Sequence, residues 1–417
     1  MGSSFRLAVM QRGSKKKRRR RRQPEIPMDV VMAEILTRLP ANLLMRLKCV
    51  SKLWSSLISS RYMRNRFLTV PSPPRLYMSL RDLTEYRNCM LLTLSPDTAA
   101  PSTFVVDHNR NISRMESHVL QNLGGFMCYC FSGKPRLFNP VTRQLVTLPS
   151  IEKYIFKLPP EEGSSSCYSY CFFGLDPSNN RYKVLCSFGV YLEDSKEYSS
   201  EHRVFVLKPG GTRRRGSWKK VAPTPPDFLR HISIPRGLSI NGFIYYLAWT
   251  DVLKSTVVSF DTRSEKFMAM LQLPCKNVYQ LPEVVAENLT LIEYGGKATI
   301  FDKTNLRDKG LVDLWVVEDA ANKKWSRKTL VLQPSQLHLV NNIILNVRGT
   351  TQNGKVLLVP HELISPFHVL CYDLQSNDMR KIEIKSIPDH WFSKDKASVD
   401  IDLMFMDHSE SILYLET

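Results

Sequence analysis

One plan recurs along most of this chain and restricts its fold more than any other feature. Leu137-Phe-Asn-Pro-Val-Thr-Arg-Gln-Leu-Val-Thr-Leu-Pro149 reads as a strand, an Asn-Pro turn and a return strand ending in Leu-Pro. Val258-Ser-Phe-Asp-Thr-Arg-Ser-Glu-Lys-Phe267 and Val369-Leu-Cys-Tyr-Asp-Leu-Gln-Ser-Asn-Asp-Met-Arg-Lys-Ile382 follow the same plan. Each time an aromatic residue precedes Asn or Asp, about four residues turn the chain, and apolar alternation resumes; Asx side chains bond their own backbone two residues on, which suits them to the turn. A second kind of hairpin alternates with these. Phe173-Gly-Leu-Asp-Pro-Ser-Asn-Asn-Arg-Tyr-Lys-Val184 is one, and Asn241-Gly242 and Asn353-Gly354 carry the strongest short hairpin signal. Trp218 and Trp325 each follow a strand-like run, Val204–Leu207 and Leu314–Val317, which predicts one inward aromatic per unit.

Hairpins recurring about every 40–50 residues are the mark of a radial repeat array, which leaves only short sheet edges. The expected fold over 76–417 is a large all-β, irregular, propeller-like (kelch-like) domain. A β-sandwich of irregular hairpins is the alternative. The repeats diverge too far to fix the number of blades.

The chain ahead of this region has a different grammar. In 26–67, Met32, Ile35, Leu36 and Leu39 fall at i, i+3, i+4 and i+7, one apolar stripe on a helix. Pro27 suits a first turn, Asp29 and Glu34 suit its positive end, and Pro40 ends the segment. Asn42 is placed to cap a second helix carrying Leu43, Leu44, Leu47 and Val50, and Ser51 a third carrying Trp54, Leu57 and Ile58. Three helices this short are marginal alone, and about forty residues cannot bury so many large side chains around their own centre. The surplus implies a neighbouring domain or a partner that covers it. Val70-Pro-Ser-Pro-Pro-Arg75, within the Pro-rich linker 68–75, separates the two parts.

The 417 residues leave room for both domains, and a hydrophobic content of 43% fits a folded chain. The net charge is +19, and a large share of it sits in one uninterrupted run, Lys15, Lys16, Lys17, Arg18, Arg19, Arg20, Arg21 and Arg22. Mutual repulsion predicts disorder over 1–25 and the composition reads as a nuclear localisation signal, so the expected location is the nucleus, with the cytoplasm also allowed. The rest of the positive excess is diffuse, which does not favour an extended nucleic-acid face. Nine cysteines in an odd, irregular array, with no stretch fit for a signal peptide or membrane span, read mostly as free buried thiols.

The residues of 26–67 carry a further signal. I-P-x-D-V-V-x-E-I-L-x-R-L-P, then L-L-x-R-L-K-C-V, then S-K-x-W-S-S-L-I resembles the F-box, in its plant form, in register over about forty positions. Leu137–Pro149, Phe173–Val184 and Ser259–Phe267 resemble the F-box-associated interaction domain of plant F-box proteins, in that family's order. The resemblance implies a helical module that docks on a Skp-type adaptor, and through it on a cullin and a RING subunit, plus a β domain that recruits a protein substrate. The implied adaptor-binding residues are Pro27, Ile35, Leu36, Leu39, Pro40, Leu43, Leu44, Leu47, Val50, Trp54, Leu57 and Ile58. It names no substrate.

No constellation in the sequence argues for catalysis, a cofactor or a metal. Cys128-x-Cys130 and Cys167-x3-Cys171 lack a histidine at ligand spacing and lie in strand-like runs, so they read as core thiols. Asp407-His408-Ser409 is adjacency, not triad geometry. Arg213-Arg-Arg215 beside Trp218 reads as a charged loop rather than a nucleic-acid contact. The expected function is the substrate-recognition subunit of a Skp–cullin–F-box ubiquitin ligase, not itself an enzyme. The alternative is a nuclear nucleic-acid-binding or scaffold propeller with a helical cap.

Overall fold

The computed structural model describes residues 28–416 apart from 40, 61, 64–74, 85–88, 101, 112–118, 132–133, 152–166, 193–196, 210–215, 222–227, 229, 252–253, 275–287, 351–353, 396–397 and 407–414. The basic run Lys15–Arg22, the Arg213 cluster and Asp407-His408-Ser409 lie outside the described residues.

Among the described residues the β domain has six four-stranded blades, a number the divergent repeats had hidden. The first joins β25 (Val399–Met406), from the far end of the chain, to β1 (Arg75–Asp82), β2 (Cys89–Pro96) and β3 (Thr103–Asn111). The second is β4 (Val119–Leu123), β5 (Phe126–Phe131), β6 (Lys134–Asn139) and β7 (Gln144–Thr147). The third is β8 (Cys167–Asp176), β9 (Arg181–Leu192), β10 (Glu197–Val206) and β12 (Lys219–Lys220), with the short β11 (Lys208–Pro209) between the last two in sequence. The fourth is β13 (Ile232–Ile240), β14 (Phe243–Asp251), β15 (Lys254–Asp261) and β16 (Lys266–Gln272). The fifth is β17 (Leu289–Tyr294), β18 (Lys297–Asp302), β19 (Leu311–Asp319) and β20 (Lys324–Val331), and the sixth is β21 (Leu345–Thr350), β22 (Lys355–Pro360), β23 (His368–Asp373) and β24 (Asp378–Lys385). A last strand, β26 (Leu415–Glu416), pairs with β11.

The inner strands β4, β8, β13, β17, β21 and β25 each contact the next, and β25 returns to β4, closing a ring. That is a propeller, not a sandwich. Closure depends on β25 pairing antiparallel with β1, Arg75 opposite Met406 and Asp82 opposite Val399. The outer strands of the sixth and first blades also touch, β24 running parallel to β3.

The antiparallel order sorts the connections onto two faces. Turns between the first and second strands of a blade, and between the third and fourth, fall on one face, here the lower. Turns between second and third strands, and the blade-to-blade connections, fall on the upper. The recurring sequence plan is the lower third-to-fourth turn. Asn139 Oδ1 accepts from the backbone N–H of Val141 at 2.9 Å and Thr142 at 3.1 Å. Asp261 accepts likewise from Arg263 and Ser264, and Asp373 from Gln375 and Ser376. Four residues after each Asx the backbone turns to positive φ, at Arg143 (59°), Glu265 (56°) and Asn377 (55°), and the return strand begins.

The core lies in wedges between blades rather than at one centre. Along β5, Phe126, Cys128 and Cys130 face the third blade, while Met127 and Tyr129 face the first. Along β8, Cys171 and Phe173 face the second blade and Phe172 the fourth. Strands buried on both faces need apolar residues at nearly every position, which explains the unbroken runs. Trp218 is buried against Phe205, and Trp325 packs, partly buried, between the fourth and fifth blades.

Polar side chains tie the ring inside. Gln121 on β4 holds Phe173 on β8 at both backbone groups, 2.6 Å to its oxygen and 2.8 Å from its N–H. A bulge in β13 puts Arg236 at φ 77°. Its guanidinium reaches Asp402 on the opposite blade at 3.4 Å, and Arg348 approaches Asp400 at 3.5 Å and Asp402 at 3.8 Å. At Gly237 a Cβ would meet Phe172 at 2.7 Å, so the close approach of β13 to β8 requires glycine there.

His202 on β10 sits buried between the third and fourth blades, its ring stacked on His231 at 4.7 Å and edge-on to Phe267. Burial, then the neighbouring His231, holds its pKa well below the usual 6.5. The folded chain therefore refuses a proton that the unfolded chain takes, and stability falls as pH drops below about 6.5, by up to roughly 1.4 kcal/mol per pH unit. His202→Phe should flatten this slope. Thermal unfolding of both proteins between about pH 5 and 7.5 checks it: wild type should lose melting temperature faster on acidification.

Candidate partner-docking site

The helical head is built from Met28 to Met63. Residues Met28–Val30 form one α-turn, α1, Val31–Ile35 a wide π-turn and Leu36–Arg38 a tight 3₁₀ turn, so the first segment is not the regular helix its stripe predicts. Two adjacent β-branched residues, Val30 and Val31, stand where the regular turn is lost. Leu39 is extended (ψ 142°), as the residue before a proline must be. Helix α2 spans Ala41–Lys48 and already includes Asn42, which therefore is not its cap. Helix α3 spans Lys52–Ile58, and Ser51 does cap it, accepting from the Trp54 N–H at 3.2 Å.

Leu36, Leu44, Ile58 and Met63 form the buried centre of the head. Val31, Leu39, Met45, Leu47 and Trp54 pack around it, and so does Val141 from the lower turn of the second blade. The chain also enters β1 at Arg75 on the lower face, opposite the outgoing end of β25. The Val141 contact puts the head under the propeller, on the face where β1 begins.

Each helix carries a second apolar row beside the buried one. On α2 and the turn after it, Leu43, Leu47 and Val50 are spaced i, i+4 and i+7; Leu43 is exposed and Val50 is 67% exposed. On α3, Trp54 and Ile58 turn inward while Leu53, 47% exposed, and the half-buried Leu57 form the adjacent row. Met28, Val30, Ile35 and Tyr62 are exposed as well. The inner rows fill the module, and among the described residues none of the propeller packs on the outer rows.

Residues 26–66 match the F-box domain family, and residues 75–409 match the family described as F-box associated beta propeller domain. The chain belongs to the F-box family. It is 44% identical over 400 residues to F-box protein At2g40925 of Arabidopsis thaliana, covering 94% of each chain. F-box protein At4g19940 of the same plant is 41% identical over 434 residues, covering the whole of both, and F-box/kelch-repeat protein At4g19930 is 38% identical, covering 94% of this chain and 91% of that one.

Within this F-box the residues implied by resemblance separate into three sets. Leu36, Leu44 and Ile58 are the module's own core; Leu39, Leu47, Trp54 and Leu57 are half-buried; Ile35, Leu43 and Val50 face outward. Pro27 and Pro40 lie outside the described residues. Leu53, Met28, Val30 and Tyr62 are outward-facing residues that sequence reasoning passed over. Spacing was the available signal for Leu53, which stands four before Leu57. The only ion pair of the head among the described residues is Arg38–Glu34 at 2.6 Å, exposed and thus weak.

The cysteines correct one expectation. Cys171 faces Cys186 directly across β8 and β9, and the two form a disulfide, so Cys171 is not the free core thiol its sequence context predicts. Cys49, Cys89, Cys128, Cys130 and Cys371 are free thiols, Cys49 exposed. Burial raises the Cys128 and Cys130 thiols, Cys130 to about 12, which keeps both protonated. Among the described residues no three His, Cys, Asp or Glu side chains converge to hold a metal.

Leu44→Ala should destabilise α2 and α3 by about 2–5 kcal/mol, whereas Val50→Ala should cost under about 0.5 kcal/mol. Hydrogen exchange of the α2 and α3 amides measures this separately from the propeller. Equal protection in the two variants would contradict the inner and outer assignment.

Proposed function

We propose that this chain is the substrate-recognition subunit of a Skp–cullin–F-box ubiquitin ligase. Its F-box seats on a Skp-type adaptor, and its propeller holds a protein for ubiquitination. The observation that carries this reading is the outer apolar rows of the head: large side chains of a kind selected for burial, standing uncovered on a module that has already filled its own centre. Interfaces draw most of their affinity from a few such anchors. Membership of the F-box family supports it at the level of the family. The subunit supplies no nucleophile in this account; the assembly catalyses by proximity, holding the target near a loaded conjugating enzyme.

The test uses the outer row, so that folding is spared. Ile35→Asp combined with Val50→Asp should weaken capture by a purified Skp-type adaptor by at least about tenfold, with the far-ultraviolet circular dichroism of the full chain unchanged. Undiminished capture would rule this reading out.

The run Lys15–Arg22 directs the subunit to the nucleus, as a dense basic segment suited to an acidic import receptor. Replacing these eight residues by alanine should move a fluorescent fusion from nucleus to cytoplasm. An unchanged distribution would remove the import role while leaving adaptor binding untouched.

A further inference from the structure

We infer that a groove on the upper face of the fifth and sixth blades is the target-binding site, and that its occupant is a peptide segment in which an acidic side chain adjoins branched apolar ones. The inference rests on the substrate-receptor reading and adds to it a place and a ligand chemistry.

The groove has a volume of about 400 Å³, within the usual range of roughly 300–1,000 Å³ for ligand sites. Among the described residues, those that line it come from upper-face connections: the entry to β17, the loop and short helix α4 (Leu306–Lys309) between β18 and β19, and the segment leading into β21. The head contacts the lower face, through Val141. A segment bound in the groove therefore meets the propeller on the side away from the F-box, so adaptor and target do not compete for one surface.

The chemistry of the walls selects the ligand. Leu306 and Val340 are buried and form an apolar floor. Ile343 and Ile344 stand side by side at the mouth and are 38% and 54% exposed. The Ile344 backbone oxygen is fixed by the His361 N–H at 2.9 Å, so this apolar pair stands on an anchored segment. Lys303 and Arg307 line the same groove against one carboxylate, Asp308, and Lys309 follows on the same turn. Arg307 has no ion pair among the described residues. A wall with two exposed isoleucines beside a net positive rim complements a ligand that buries apolar side chains and places a carboxylate on the rim. Small molecules fit less well, because the exposed isoleucine pair asks for a ligand that extends across the mouth.

The test pans a displayed library of random peptides about twelve residues long against the full chain, bound to its adaptor. Enriched peptides should combine Asp or Glu with Leu, Ile, Val or Phe. Their binding should weaken at least about tenfold on Ile344→Asp, and Arg307→Glu should shift the preference toward Lys- or Arg-containing peptides. Both positions are exposed, and Arg307→Glu alone decides the matter should Ile344→Asp fail to fold. Enriched peptides that bind both variants as well as wild type, or no enrichment at all, overturn the inference. So does a fluorescent oligothymidine that binds wild type in low salt and is lost on Arg307→Glu, which would assign the groove to nucleic acid. Adaptor capture by the same preparations separates the two readings: intact capture with an indifferent groove discards the groove alone, while failed capture by wild type discards the receptor reading.

Discussion

The pairing of β25 with β1 is the constraint on which this architecture depends. Five blades are each made from strands of one continuous stretch of chain, and hairpins of that kind form from local contacts. The first blade cannot be completed until the last regular strand of the domain arrives to take its innermost position. Without it, β4 and β21 lose the neighbour that joins them, and the ring opens at one seam. The same pairing decides where the head goes. Because β25 is the inner strand, β1 must run the other way, so the chain enters from the lower face. The linker, the head and the contact at Val141 follow from that single antiparallel register.

The buried ions across the ring do a different job from the wedges of apolar side chains. Each large side chain in a wedge contributes roughly 1.5–3 kcal/mol of burial, and there are such wedges between all six neighbouring pairs. The Arg236–Asp402 and Arg348–Asp400 contacts carry desolvation costs that offset most of their attraction. Burial lowers the Arg348 pKa, as does the nearby Arg236, against the opposing pull of Asp402 and Asp400. What these ions supply is alignment: Arg236 comes from a bulge at positive φ and meets an aspartate on the blade opposite, so only one registration of the ring satisfies it.

The sequence was legible where structure is local. Asx residues at Asn139, Asp261 and Asp373 mark the lower turns because their hydrogen bonds reach only two or three residues onward. Ser51 as a cap was legible for the same reason. What could not be read depends on distant partners. The blade number needed the closing strand; Cys171 needed the register that sets it opposite Cys186; Asn42 lost its expected role because the helix was already under way at Ala41. In the head, one stripe per helix was legible, but not which row faces in. An apolar side chain looks the same in sequence whether it meets its own core or a partner, and only the positions of Leu36, Met63 and Val141 separate Leu44 from Leu43.

The two faces of the propeller obey different physical demands. On the lower face most turns are short and held by Asx bonds and positive-φ residues, leaving little length for variation. On the upper face the described connections of the fifth and sixth blades are longer and carry helical turns, at Leu306–Lys309, Pro334–Leu339 and Asp389–Trp391. Radial repetition permits this division, since a blade tolerates a long upper connection as long as its lower turns and inner strand hold the ring. A lower face of short, Asx-held turns suits a fixed attachment to the helical head, and an upper face of longer connections offers more surface for recognition. The groove beside Ile344 lies where the fold has the most freedom to change its chemistry without disturbing the closure at β25.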